Sequence, residues 1–85
     1  MPFERGRVVK SLKGRDKGSF LACVSAENGC VFVCDGKERP LARPKKKNIK
    51  HIEECDRILN EEQLKTNKQL RRSLRDLNCK QKGDR

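Results

Sequence analysis

The chain has 85 residues, of which a third are hydrophobic and 40% are charged, with three Phe and no Trp or Tyr. That leaves room for one small domain with a modest core and perhaps one further element beside it. A net charge of +10 directs attention to polyanionic partners, nucleic acid first.

A membrane is not an expected partner. No apolar run approaches the roughly 20 residues of a spanning helix, and no helical stretch sets a bulky aromatic face beside its lysines. Residues 1–5, Met1-Pro2-Phe3-Glu4-Arg5, lack an apolar segment after their charges, so no signal peptide is expected and the expected location is the cytoplasm. They read as a short lead-in, with Phe3 pinned to the domain.

The five cysteines, Cys23, Cys30, Cys34, Cys55 and Cys79, are odd in number and include no Cys-x-x-Cys pair, which argues against a disulfide framework. Cys30 and Cys34 share one side of an extended run but lie about 13 Å apart by strand rise, too far for one zinc ion. They read as small buried hydrophobes, with a zinc site through Cys23 and one of that pair as the alternative. No metal or cofactor is expected.

In chain order, a first strand is expected over Arg7 to Lys13 and a second over Phe20 to Ala26. Between them lies Gly14-Arg15-Asp16-Lys17-Gly18. Gly14 and Gly18 tolerate positive φ, so the backbone can reverse tightly and present Arg15 and Lys17 on a stiff basic tip. Asn28-Gly29 is a strong hairpin signal, because both residues tolerate the positive φ of a type I′ turn. A third strand follows as Cys30 to Cys34. Asp35-Gly36 is a second such turn, leading to a short fourth strand around Glu38 to Arg43, which Pro40 and Pro44 confine to an edge. The run Pro44-Lys45-Lys46-Lys47 reads as a basic connection, and Asn48 to Ile52 as a fifth strand.

Strands two and three are apolar at consecutive positions, so both faces of their hairpin need burial. Thr66-Asn67-Lys68-Gln69 is a capping box that starts a helix at Asn67. Leu70, Leu74 and Leu77 then form one apolar stripe, opposite Lys68, Arg71, Arg72 and Arg75. The stripe is expected to cover the outer face of strands two and three, with docking on a partner protein or RNA as the competing account. Asn60-Glu61-Glu62-Gln63 is a weaker cap pattern, predicting a short helical turn. The expected organisation is a five-stranded barrel over residues 1–53, a linker with a helical turn over 54–65, an amphipathic helix over 66–79 and a disordered tail over 80–85.

The Gly14-x-x-Lys17-Gly18 loop between two strands resembles the KOW motif. Together with Gly6-Arg7-Val8-Val9 and the stretch from Cys34-Asp35-Gly36-Lys37 through Pro44-Lys45-Lys46-Lys47 to His51-Ile52, it is similar to bacterial KOW-domain proteins. Those in turn resemble the archaeal and eukaryotic large-subunit ribosomal proteins of the fourteen-e type. The resemblance covers residues 5–53, and Thr66 to Leu74 less closely. It implies a mainly β, SH3-like barrel with a C-terminal helix that binds ribosomal RNA without enzymatic activity.

Charge points the same way. From Lys37 to His51 seven Lys or Arg face one Glu, a net +6, which equals the whole net charge of residues 1–54, where 13 basic residues face 7 acidic ones. The expected RNA-contacting residues are Lys13, Arg15 and Lys17 on the tip, and Lys37, Arg39, Arg43, Lys45, Lys46, Lys47, Lys50 and His51 along the basic stretch. Arg71 and Arg75 on the helix complete the set. His51 itself reads as a hydrogen-bonded strand residue, neither ligand nor base. Gly14, Gly18, Gly29 and Gly36 are the expected turn residues. Such cations hold phosphate and 2′-hydroxyl groups and recognise RNA shape more than sequence. On this reading, reversing the charge of Lys45, Lys46 and Lys47 together weakens RNA binding and spares the fold.

The expected partner is therefore large-subunit ribosomal RNA, with neighbouring ribosomal proteins, bound by a monomer. The alternative is a transcription elongation or antitermination module that contacts RNA polymerase. An enzyme finds little support, since nucleophile chemistry needs a base near a thiol, and the chain offers one histidine and no glycine-rich phosphate cradle.

Overall fold

A computed structural model describes residues 4–83, with α1 side chains described as far as Arg75 together with Leu77. The protein is mainly β. Strands β1 (Arg7–Ser11), β2 (Phe20–Glu27), β3 (Cys30–Cys34), β4 (Lys45–Asn48) and β5 (Ile52–Ile58) form one antiparallel sheet in the order β4-β3-β2-β1-β5. A 3-10 turn (Ile49–His51) joins β4 to β5, and helix α1 (Asn67–Gly83) follows. The architecture is compatible with a small barrel.

Two of the three tight turns arise as their residues require, but Asp35 lacks the positive φ of a type I′ turn, so Asp35-Gly36 is not the expected second turn of that kind. Asn28 and Gly29 have φ of +47° and +78°, and Gly14, Gly18 and Gly36 have +96°, +90° and +81°. Beyond the third turn the chain departs from expectation. Residues 38–43 form no strand: Asp35 Oδ1 accepts the backbone N–H groups of Lys37 and Arg39 at 2.8 and 2.9 Å, which folds the segment into a compact loop. The fourth strand is instead the lysine run, paired with β3 in the register Val31↔Lys47, Phe32↔Lys46, Val33↔Lys45. Lysine has little intrinsic preference for strands, so position at a sheet edge decides the conformation here.

The expected fifth strand at Asn48 to Ile52 is mostly the 3-10 turn, which Asn48 caps by accepting the Lys50 N–H at 2.8 Å. The real one runs to Ile58, past the expected barrel boundary at residue 53. At the other end, β1 stops at Ser11 and leaves Leu12 exposed.

Consecutive apolar residues on β1, β2 and β3 are divided between two cores, because successive strand side chains point to opposite faces. One face gathers Val9, Leu21, Cys23, Val31, Val33 and Ile52. The other gathers Val8, Ala22 and Cys34 with Leu59, Leu64, Leu70 and Leu74. The leucine stripe of α1 thus covers the outer face of the hairpin sheet, as expected. Thr66 Oγ1 accepts the Gln69 N–H at 3.1 Å and starts the helix. Asn60 and Gln63 cap each other reciprocally at 2.9 Å, forming the predicted turn. Residues 59–64 are part of the second core, since Leu59 and Leu64 are buried and the Leu59 N–H bonds to Gly6 O at 2.7 Å. The helix extends to Gly83, beyond the expected end at residue 79; Asp84 and Arg85 of the expected tail lie outside the described residues, as does the expected packing of Phe3.

Candidate nucleic-acid interface

The tip of the β1–β2 hairpin is held by its own backbone. Gly18 donates to Ser11 O at 2.8 Å, Ser11 to Ser19 O at 2.9 Å, Lys17 to Gly14 O at 3.2 Å and Ser19 to Asp16 O at 2.9 Å. Lys13, Arg15 and Lys17 stand exposed on this frame.

Pairing of β4 with β3 splits the lysine run. Directly opposed residues on antiparallel strands share a face, so Lys45 and Lys47 lie on the side of Val33 and Val31, whereas Lys46 lies on the side of Phe32. Lys46 is exposed, Lys45 half-buried and Lys47 only 7% exposed. The Lys47 ammonium donates to Lys13 O at 2.8 Å and pairs with Asp16 Oδ1 at 3.0 Å. The same carboxylate oxygen accepts from Ser11 Oγ at 2.7 Å. Lys47, expected from sequence to face phosphate, is therefore turned inward, because a strand alternates where a disordered connection would not.

Burial pushes the Asp16 carboxyl upward. The hydrogen bond from Ser11 and the pairing with Lys47, with the charge of Lys45 behind them, outweigh it and hold the group below its ordinary 3.8. Its second oxygen is buried with no hydrogen-bond partner among the described residues.

These contacts bring the two expected basic regions together. Lys47 ties β4 to the tip, and the 3-10 turn adjoins the tip's base, where Leu12 N donates to His51 O at 2.8 Å. Lys50 is exposed there and His51 half-buried. A cleft of about 480 Å³ separates the tip from the 35–39 loop, lined by Arg15, Asp16, Leu21, Asp35, Glu38 and Arg39. Lys37 and Arg43 are exposed on the same loop region. That loop rests on α1: a side chain at Gly36 would collide with Asn67 O and the Arg71 backbone, and Leu41 N donates to Asn67 Oδ1 at 2.7 Å. Arg71 and Arg75 are exposed on the helix.

Ion pairs engage only some of the cations. Arg5 pairs with Glu61 at 3.0 Å, and Arg7 with Glu4 at 2.9 Å and Glu54 at 3.2 Å. By contrast, Lys13, Arg15, Lys17, Lys46 and Lys50 form no ion pair among the described residues. Their charge is available to an external anion.

Of the cysteines, Cys23 and Cys34 are buried in different cores, and Cys30 and Cys55 are half-buried free thiols. Burial pushes the Cys34 thiol up to about 11 and raises those of Cys23 and Cys55. Among the described residues no group of three His, Cys, Asp or Glu is arranged to hold a metal ion; the Cys79 side chain lies outside the described ones. No described helix is long and apolar enough to cross a membrane.

Sequence reasoning missed Ser11 and Asp16. Asp16 carried a usable signal, as the one acid in a loop built to present cations. No protein-family model matches this chain, and no curated protein matches it either.

Proposed function

We propose that this protein is an RNA-binding module, an SH3-like barrel of the KOW kind with a C-terminal helix, that attaches to ribosomal RNA in or near the large subunit and catalyses no reaction. The observation that carries this reading is the set of unpaired cations at the hairpin tip and its flank, Lys13, Arg15, Lys17, Lys46 and Lys50, while the arginines at the start of β1 are neutralised by acids. Exposed, unpaired cations of this kind attract a polyanion from a distance and orient it on contact. Arg39, Arg43, Lys37, Arg71 and Arg75 extend it over the loop and helix. Without Tyr or Trp to stack on bases, recognition rests on RNA shape.

The test is binding of purified ribosomal RNA across a salt series, with sucrose-gradient fractionation of cell extract beside it. The expected result is co-migration with large subunits and an affinity that falls steeply with salt. Each phosphate contact contributes a slope of about −0.7 to −0.9 in log affinity against log salt. A protein that remains at the top of the gradient in low salt overturns the reading. Recovery of polymerase subunits without ribosomal RNA would move the module to transcription.

A further inference from the structure

Lys47 spends its charge inside the molecule. Its stem leaves β4 on the face shared with Val31 and Val33, and its ammonium ends beneath the tip, bonded to Lys13 O and Asp16 Oδ1 and 3.4 Å from where a Cβ on Gly14 would stand. Ser11, the last residue of β1, holds the same carboxylate from the other side at 2.7 Å. Strands β1 and β4, three places apart in the sheet order, thus converge on one carboxylate oxygen of the tip. We infer that Ser11, Asp16 and Lys47 form a latch that fixes the tip in its RNA-facing shape, which makes Asp16 and Lys47 positioning residues and not contacts. This rests on the RNA reading above.

The latch explains an otherwise unfavourable residue. An acid between Arg15 and Lys17 repels phosphate, so plain charge counting predicts that its removal tightens RNA binding. Turned inward and paired, Asp16 instead orders the backbone that carries Lys13, Arg15 and Lys17, and Lys47 cancels its charge. An ordered tip loses less conformational freedom when RNA binds.

The two accounts predict opposite signs for Asp16→Asn, which removes one negative charge. With the latch, ribosomal RNA binds at least about threefold more weakly to Asp16→Asn, measured well below its melting midpoint, and Asp16→Asn combined with Lys47→Met is little worse than either alone. Ser11→Ala leaves net charge unchanged and weakens binding in the same direction. Independently of RNA, amide hydrogen exchange at Lys17, Gly18 and Ser19 accelerates in these variants while that of Val9 and Leu21 does not. Unchanged exchange at the tip overturns the latch. Wild type that binds RNA, with Asp16→Asn binding as tightly or more tightly, overturns the positioning role alone. Wild type without RNA affinity overturns the functional reading and the positioning role with it.

Discussion

At the scale of single residues, the lysine run shows how identical side chains acquire different work. Lys46 faces outward, and its replacement by Met should change stability by no more than about 0.5 kcal/mol, as surface substitutions do. Lys47→Met strands the Asp16 carboxylate beneath the tip, and urea denaturation should register a loss of about 1–3 kcal/mol. Reversing all three lysines therefore damages the fold as well as the surface, contrary to the expectation from sequence. Lys46→Glu is the cleaner probe of binding. Asp16 also sets a pH dependence. Its folded value lies below 3.8, so the folded state binds fewer protons there than the unfolded chain. The contribution is complete above about pH 4 and is lost as pH falls through the lowered value. Thermal melts of wild type should thus lose more between pH 5 and pH 3 than those of Asp16→Asn.

At the scale of elements, the turns that position the interface are bound to their neighbours to different degrees. Gly29 has open space around it, so Gly29→Ala costs only the positive-φ strain, about 1–2 kcal/mol. Gly36 has the same backbone conformation but is pressed against the first turn of α1. Gly36→Ala should cost clearly more in a denaturant titration, because the 35–39 loop must lift from the helix. Strand β4 invites a plainer account of its lysines, since charged side chains on an edge strand discourage pairing with other chains. That account predicts that Lys46→Glu leaves RNA affinity untouched, whereas the proposed function predicts weaker binding with a shallower salt slope.

The whole molecule is a sheet with an apolar cluster on each face, and the helix is what makes the second face tolerable in water. Leu70 and Leu74 are essentially fully buried against Val8, Ala22 and Cys34. Leu74→Ala should destabilise the entire domain by about 2–5 kcal/mol in a single cooperative transition. Melting of the helix alone, with the sheet left folded, would show that the two cores are independent. Because α1 also supports the 35–39 loop, loss of the helix disturbs the basic surface beyond the arginines that the helix itself carries.

What the sequence determined by itself was local. Asn28-Gly29, the glycines at 14, 18 and 36, and the caps at Asn60 and Thr66 each restrict a few neighbouring torsions, and the structure places a turn or helix start at every one. The doubly apolar hairpin likewise announced its need for two partners. Tertiary structure decided the rest. Lys45–Asn48 and Ile52–Ile58 become strands through hydrogen bonds offered by β3 and β1, which neither segment encodes in its own composition. Whether a lysine meets solvent or Asp16 follows from strand register, and register is set only when two distant segments align.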